Sequence, residues 1–233
     1  MAIPSLTDLN QYRVNRQGVE GIRQSLYDFL LYPTAGQAAF NFFATPQGQG
    51  ITSAVGGVVG TPKTVQDTNM TVAGMLPAGM TFLMNSIEVP FFAGTVNTAN
   101  TYTLAAPSLF AVAAAATVAA QLNDINSFYQ SGSLKLFIGS KTYLEEAPLL
   151  RFPPKCQFTY DGAVATNSAT VGEVAIASGK ISGRPYMVEP PVLLENNQNF
   201  SVSLNFPTAV ATPSGFNARV GVILDGYLYR NSQ

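Results

Sequence analysis

The 233-residue chain has no histidine and no tryptophan, a single cysteine, and only 12 basic and 13 acidic side chains. Each shortage excludes something. Without imidazole, neither a Ser-His-Asp triad nor a Cys-His pair can be assembled. With Cys156 alone, no Cys/His zinc site and no intramolecular disulfide can form. The lysines lie in no SxxK pattern, and no GxxxxGK[ST] loop occurs. Glu145-Glu146 is the one adjacent carboxylate pair, and neighbours on a strand point to opposite faces rather than into one cleft. They read as solvated charges at a strand end. Glu88 and Glu189 stand isolated beside prolines and read as buried partners for an arginine. Asp67-Thr68-Asn69 and Asp161-Gly162 are too sparse for a calcium loop. No catalytic, cofactor-binding or metal-binding residue is therefore assigned, and the chain is read as not an enzyme, with no cofactor and no small-molecule substrate.

Charge is the second shortage. Charged residues make up 11% of the chain, against about a quarter in an ordinary soluble domain, while hydrophobic content is 47% and net charge is −1. Net repulsion normally keeps monomers apart, and this chain nearly lacks it. No charge falls between Asp28 and Lys63, between Glu88 and Asp124, or between Glu195 and Arg219. Such windows fit segments buried against the chain's own sheets or against neighbours, because interface cores are depleted in charge. The basic residues are scattered and form no run, which argues against direct nucleic-acid binding. The first nine residues are mixed and polar and read as no signal peptide. Residues 104–122 (LAAPSLFAVAAAATVAAQL) are uncharged, but they are alanine-rich, contain Pro107 and lack basic flanks. They read as part of a buried helix over residues 107–129 rather than a membrane span.

What is present is mostly β. Residues 1–35 read as an N-terminal arm followed by a short helix or strand, and the spacing of Val19, Ile22, Leu26, Phe29 and Leu30 over residues 17–31 favours the helix. Residues 37–44 place Phe40 and Phe42 on one strand face. Residues 80–92 form the clearest early strand, with imperfect alternation and a bend at Pro90. Residues 100–105, 133–138, 156–160, 173–177, 186–188, 192–194, 200–206 and 219–229 follow as strands, separated by turns at Asp161-Gly162, Ser182-Gly183, Asn196-Asn197 and Pro213-Ser214-Gly215. In FSVSLNF the period of two is strict. Asp225-Gly226, midway along RVGVILDGYLYR, marks a bulge. Tyr227 and Tyr229 share one face of that strand. With no repeat and no linker, residues 36–233 read as a single antiparallel β-sandwich carrying one inserted Ala-rich helix.

Four stretches carry a resemblance: KTVQDTNMTVAGMLPAG, MTFLMNSIEVPFF, GRPYMVEPPVLLENNQNFSVSLNFP and ARVGVILDGYLYR. Their style and order, over residues 63–230, resemble viral jelly-roll capsid proteins of bacteriophages, coat or decoration. The first stretch is similar to the lead-in to a first barrel strand. The resemblance implies eight antiparallel strands in two sheets and a closed symmetric shell. The implied location is the virion, after synthesis in the host cytoplasm. The implied partners are copies of the chain itself and other virion proteins, with membrane contact left open. The arm departs from the family pattern in being mixed rather than basic, which puts genome packaging by it in doubt. A carbohydrate-binding β-sandwich, using exposed tyrosines, is the alternative.

Overall fold

The computed structural model describes residues 19–49, 62–98, 101–104, 114–155, 158–165, 174–181 and 183–231. Along the chain come β1 (Val19–Tyr32), β2 (Ala39–Phe42), β3 (Met80–Glu88), β4 (Phe91–Phe92), β5 (Thr95–Thr98), β6 (Thr101–Leu104), helix α1 (Ala114–Gln130), β7 (Ser133–Ile138) and β8 (Lys141–Glu146). A 3-10 turn (Leu149–Arg151), β9 (Phe158–Ala165), β10 (Val174–Ile181), β11 (Tyr186–Glu195), β12 (Phe200–Asn205) and β13 (Ala218–Asn231) complete it. The mainly β, antiparallel sandwich expected from the sequence is what forms. One sheet has the order β1-β13-β3-β11, with β4 also on β13; the other has the order β2-β12-β7-β8. The pairings are nested: β1 with β13, β2 with β12, β3 with β11, and β7 with β8. The chain thus forms one long antiparallel ribbon, closed at β7-β8 and folded over into two layers.

The core lies where the inner faces meet. Phe40 and Phe42 on β2, Val202 and Leu204 on β12, and Leu134 and Leu136 on β7 face Val220, Val222 and Leu224 on β13 and Phe82, Met84 and Ile87 on β3. Strict alternation makes this possible in β7 and β12. In β3 it fails for a visible reason. Asp225 pairs with Ser86 but Gly226 pairs with Met84, so Asn85 is an extra residue on β3. That bulge turns Met84 and Ile87 both inward and leaves Ser86 and Glu88 on the outer face. The irregularity expected at Asp225-Gly226 is present; the added residue sits on the facing strand. Gly226 is required there, because a Cβ would lie 1.9 Å from the Leu83 carbonyl oxygen.

Several expectations are corrected. Residues 19–32 are not a helix within an arm. They form the full-length partner of β13. The apolar positions that satisfy helical spacing also satisfy a strand buried toward its C-terminal end on both faces, and the 14-residue ladder with β13 decides between them. The sandwich therefore begins before residue 36, and residues 1–18, the rest of the arm, lie outside the described residues. Asp161-Gly162 is not a turn but lies inside β9, paired with β10. Residues 186–188 and 192–194 are one strand, β11, with a register shift between Met187 and Val192 that accommodates Pro190-Pro191. Strand β8 has no counterpart among the strands expected from the sequence. The segment 63–79, read as the lead-in to a first strand, runs between the second and third.

Helix α1 is observed over 114–130; residues 107–113 of the expected helix lie outside the described residues. It docks through Gln121, Asp124, Ile125, Phe128 and Tyr129, all buried on one helical face. Tyr32 is the hub of the docking site. Its ring stacks on Phe40 at 5.1 Å and meets Phe91, Phe128 and Phe206 edge-on at 5.3, 5.7 and 6.3 Å. Phe91 and Phe128 stack at 4.2 Å. These aromatic contacts tie the helix to both sheets.

Candidate interaction surface

Because antiparallel strands alternate direction, the connections fall at two ends. The β1-β2, β3-β7, β8-β11 and β12-β13 connections share one. There Thr34 Oγ1 donates to Asn217 Oδ1 at 2.9 Å, Ser214 N donates to Asp124 Oδ1 at 2.8 Å, and Val89 N donates to the Phe152 carbonyl at 3.0 Å. The Asp124 carboxylate thus fixes the turn before β13, and its burial pushes its carboxyl above the usual range, against the hydrogen bonds from Ser214. Tyr32 donates to the Val210 carbonyl at 2.5 Å, and its hydroxyl is pushed up to about 12, first by burial and then by the Asp124 charge.

At the side of the sandwich, the Asp28 carboxylate on β1 holds both Lys63, in the β2-β3 connection, and Phe43, the residue after β2. Lys63 Nζ lies 2.5 Å from Asp28 Oδ1, and both side chains are essentially inaccessible. Asp28 Oδ2 accepts the Phe43 backbone N–H at 2.6 Å. Phe43 has a φ of 68°, left-handed for a side chain that is itself fully buried. Its N–H is thereby turned toward the carboxylate, and its ring rests 5.3 Å from that of Phe200. Burial raises the Asp28 carboxyl; the Lys63 charge and the hydrogen bonds pull the other way without cancelling it.

The remaining charges are mostly paired with one another. On the outer face of the β1-β13-β3-β11 sheet, Lys155 bridges Glu88, at 3.2 Å, and Asp225, which also receives Arg23 at 3.1 Å. Burial would raise Asp225, but the hydrogen bonds and charges of Lys155 and Arg23 outweigh it and hold it below its ordinary value. Glu88, read as a partner for an arginine, has a lysine instead; Glu189, given the same reading, is exposed. Arg219 lies over the Phe29 ring at 4.0 Å and reaches Asp67 at 3.5 Å. Glu145 pairs with Lys135 at 2.8 Å and Glu146 with Arg151, so each carboxylate at the end of β8 has its own cation. Tyr227 and Tyr229 share the outer face, with Tyr229 packed against the backbone of Gly21.

Another corner carries no charge among the described residues. Ala35, Gln37, Ala38, Ala39 and Asn41, leading into and along β2, are exposed, and so are Pro207, Thr208 and Ala209 after β12. The two runs lie side by side: Phe206 N donates to the Ala38 carbonyl at 2.8 Å and Thr212 N to the Thr34 carbonyl at 2.9 Å. Two of the neutral windows seen in the sequence therefore converge on one neutral surface of small residues. That convergence depends on the nested pairing and has no local sequence signal.

A depression of about 250 Å³ is lined by Ala44, Ala73, Gly74, Gly139, Asn199, Phe200 and Ser201, none of them an acid or a base. Among the described residues no three acidic, His or Cys side chains are grouped to hold a metal ion, and no helix is long and apolar enough to cross a membrane. Cys156 lies outside the described residues. No protein-family model, curated protein or solved structure matches the chain.

Proposed function

We propose that this chain is a structural virion protein: a jelly-roll capsid subunit that assembles with its own copies and other virion proteins through charge-poor surfaces. The single observation that carries the reading is the nested order β1-β13-β3-β11 over β2-β12-β7-β8. This order supports the reading, because an eight-stranded ribbon rolled into two sheets, as in jelly rolls, would produce it. The distribution of charge supports it. The few ions are largely consumed in internal pairs, and a whole corner is left neutral, as a surface pressed against a neighbour would be. The work is then mechanical: weak neutral contacts, repeated by symmetry, enclose a cargo.

Electron microscopy and light scattering of the native protein test this. Regular particles, rings or closed oligomers are expected. A long-lived single chain at every concentration and in every buffer tried would overturn the proposal. The carbohydrate-binding alternative has exposed Tyr227 as its platform. Tyr227→Ala would abolish glycan-array binding under that alternative and leave assembly untouched under the first.

A further inference from the structure

A sandwich has four sheet edges, and each is a template for another strand unless something blunts it. Three are blunted here. The outer edge of β1 is closed by residues 65–69: Phe29 N donates to the Asp67 carbonyl at 2.8 Å, and the Asn69 side chain bonds both the Tyr27 N–H, at 3.1 Å, and the Ser25 carbonyl, at 2.7 Å. The β11 edge is interrupted by Pro190-Pro191 and a register shift. The β8 edge carries Lys141, Glu145 and Glu146 and a register shift that leaves Tyr143 as an extra residue. The β2 edge has none of these devices. It reads AFNF, without charge or proline, and no other strand among the described residues pairs with it beyond β12.

The direction of its backbone groups follows from the register. Phe206 N donates to the Ala38 carbonyl, and Phe40 faces Leu204 while Phe42 faces Val202. The even-numbered positions therefore exchange hydrogen bonds with β12, and Ala39 and Asn41 aim their N–H and C=O groups away from the sheet. Both residues are exposed. The outward row stops at Phe43, whose N–H goes to Asp28 and whose carbonyl accepts Gly74 N at 2.7 Å.

We infer that two copies of this chain pair through β2, antiparallel, about a two-fold axis at Phe40. Ala39 then faces the partner's Asn41, and Asn41 faces the partner's Ala39. Both are hydrogen-bonded pairs, giving about four backbone hydrogen bonds. Because the outward groups sit at alternate positions symmetric about Phe40, the edge is complementary to itself. Because it has no charge, meeting its own copy brings no like charges together. The neutral residues of 35–38 and 207–209 extend the same contact. The inference deepens the proposed function by naming the self-contact, and it rests on that reading for its context only.

The test uses the full chain. Asn41→Pro deletes an outward N–H and no bond to β12; Asn41→Lys leaves the backbone intact and adds like charges that face the same contact. Each is expected to weaken self-association at least about tenfold, as losing one or two net hydrogen bonds would, with thermal unfolding of the subunit unchanged. In a Cys156→Ser background, a mixture of Ala39→Cys and Asn41→Cys chains is expected to form disulfides between the two variants, since facing Cα atoms of such a pair lie about 5.5 Å apart. Neither variant alone is expected to cross-link. If the protein forms particles that both Asn41 variants also form, with no cross-link in the mixture, the β2 pairing is overturned and the capsid reading stands. If only two-fold dimers form and the mixture cross-links, the pairing stands and the shell reading fails. A stable single chain refutes both.

Discussion

Replacing Lys63 by Met perturbs one contact at the point where the two sheet edges meet. Asp28 and Lys63 are both buried, the Asp28 carboxylate accepts the Phe43 N–H, and Phe43 holds a left-handed φ of 68°. Methionine fills a similar volume without charge. The substitution leaves Asp28 as a buried anion with only neutral hydrogen-bond donors. Breaking a buried pair on one side costs about 3–5 kcal/mol, which for a domain of this length lowers Tm by about 6–20 °C. Asp28→Asn should cost a comparable amount, because it strands the Lys63 ammonium. The double variant should be close to wild type, since an asparagine oxygen still accepts the Phe43 N–H and no unpaired charge remains. The chain has no tryptophan, so urea unfolding is followed by far-UV circular dichroism and tyrosine fluorescence.

The pH dependence gives an independent check. The folded carboxyl of Asp28 already lies above its ordinary 3.8, and removing the Lys63 charge raises it further. A raised carboxyl favours the folded state below the unfolded value and loses that contribution as pH rises through the folded value. The deficit of Lys63→Met relative to wild type should therefore shrink as pH falls from 8 toward 5. A deficit under about 1 kcal/mol at pH 7, or one that grows on acidification, refutes the account of a buried pair whose charges need each other.

Gly226→Ala drives a Cβ into the Leu83 carbonyl and should destabilise by about 3 kcal/mol or more. Gly139→Ala, at φ 59° with open space around it, should cost only about 1–2 kcal/mol from the backbone alone; urea midpoints of the two variants decide this. Tyr32→Phe keeps the ring stack and leaves the Val210 carbonyl without its donor, a loss of about 1–2 kcal/mol by the same assay. Asp225 is held below its ordinary 3.8, so its contribution is present above that value and disappears as pH falls through the folded one. Accordingly, the stability difference between wild type and Asp225→Asn should narrow below about pH 4 in acid titrations of unfolding.

The strands with strict alternation could be read directly from the chain. The expected bounds coincide with the strand at residues 133–138 and differ by one residue at 200–206, because one buried face and one wetter face leave a period of two. The turn at Asn196-Asn197 was legible for its chemistry, and the irregularity at Asp225-Gly226 for its glycine. Strand β1 was not. Toward its end both faces are covered, the inner by the second sheet and the outer partly by Phe92 and Arg219. A segment buried on both sides has no period that separates strand from helix. Prolines misled in β11, because a register shift lets Pro190-Pro191 lie within a single strand. The charge pairs were invisible for a different reason. Asp28 and Lys63 lie 35 residues apart, and Lys155 and Asp225 lie 70 apart, so nothing local marks them.

Low charge content by itself does not distinguish a surface that is thinly ionised everywhere from one whose ions are gathered in one region. The sequence hinted at the second through its uncharged windows, and the fold gives two of them a common place. Nesting puts β2 and the segment after β12 beside each other, although more than 160 positions separate residues 39 and 205. The same nesting sends Arg23, Glu88 and Asp225 to the outside of the other sheet, where Lys155 joins two of them. Charges in mutual pairs do little to repel an approaching copy, because they present little net field to it. Protection of the sheet edges therefore falls to other devices: a covering loop on β1, prolines on β11, and charged side chains such as Lys141 on β8. The β2 edge lacks all three, and it lies within the neutral corner. Two independent features of the chain, backbone availability and absence of charge, thus coincide on the same four residues.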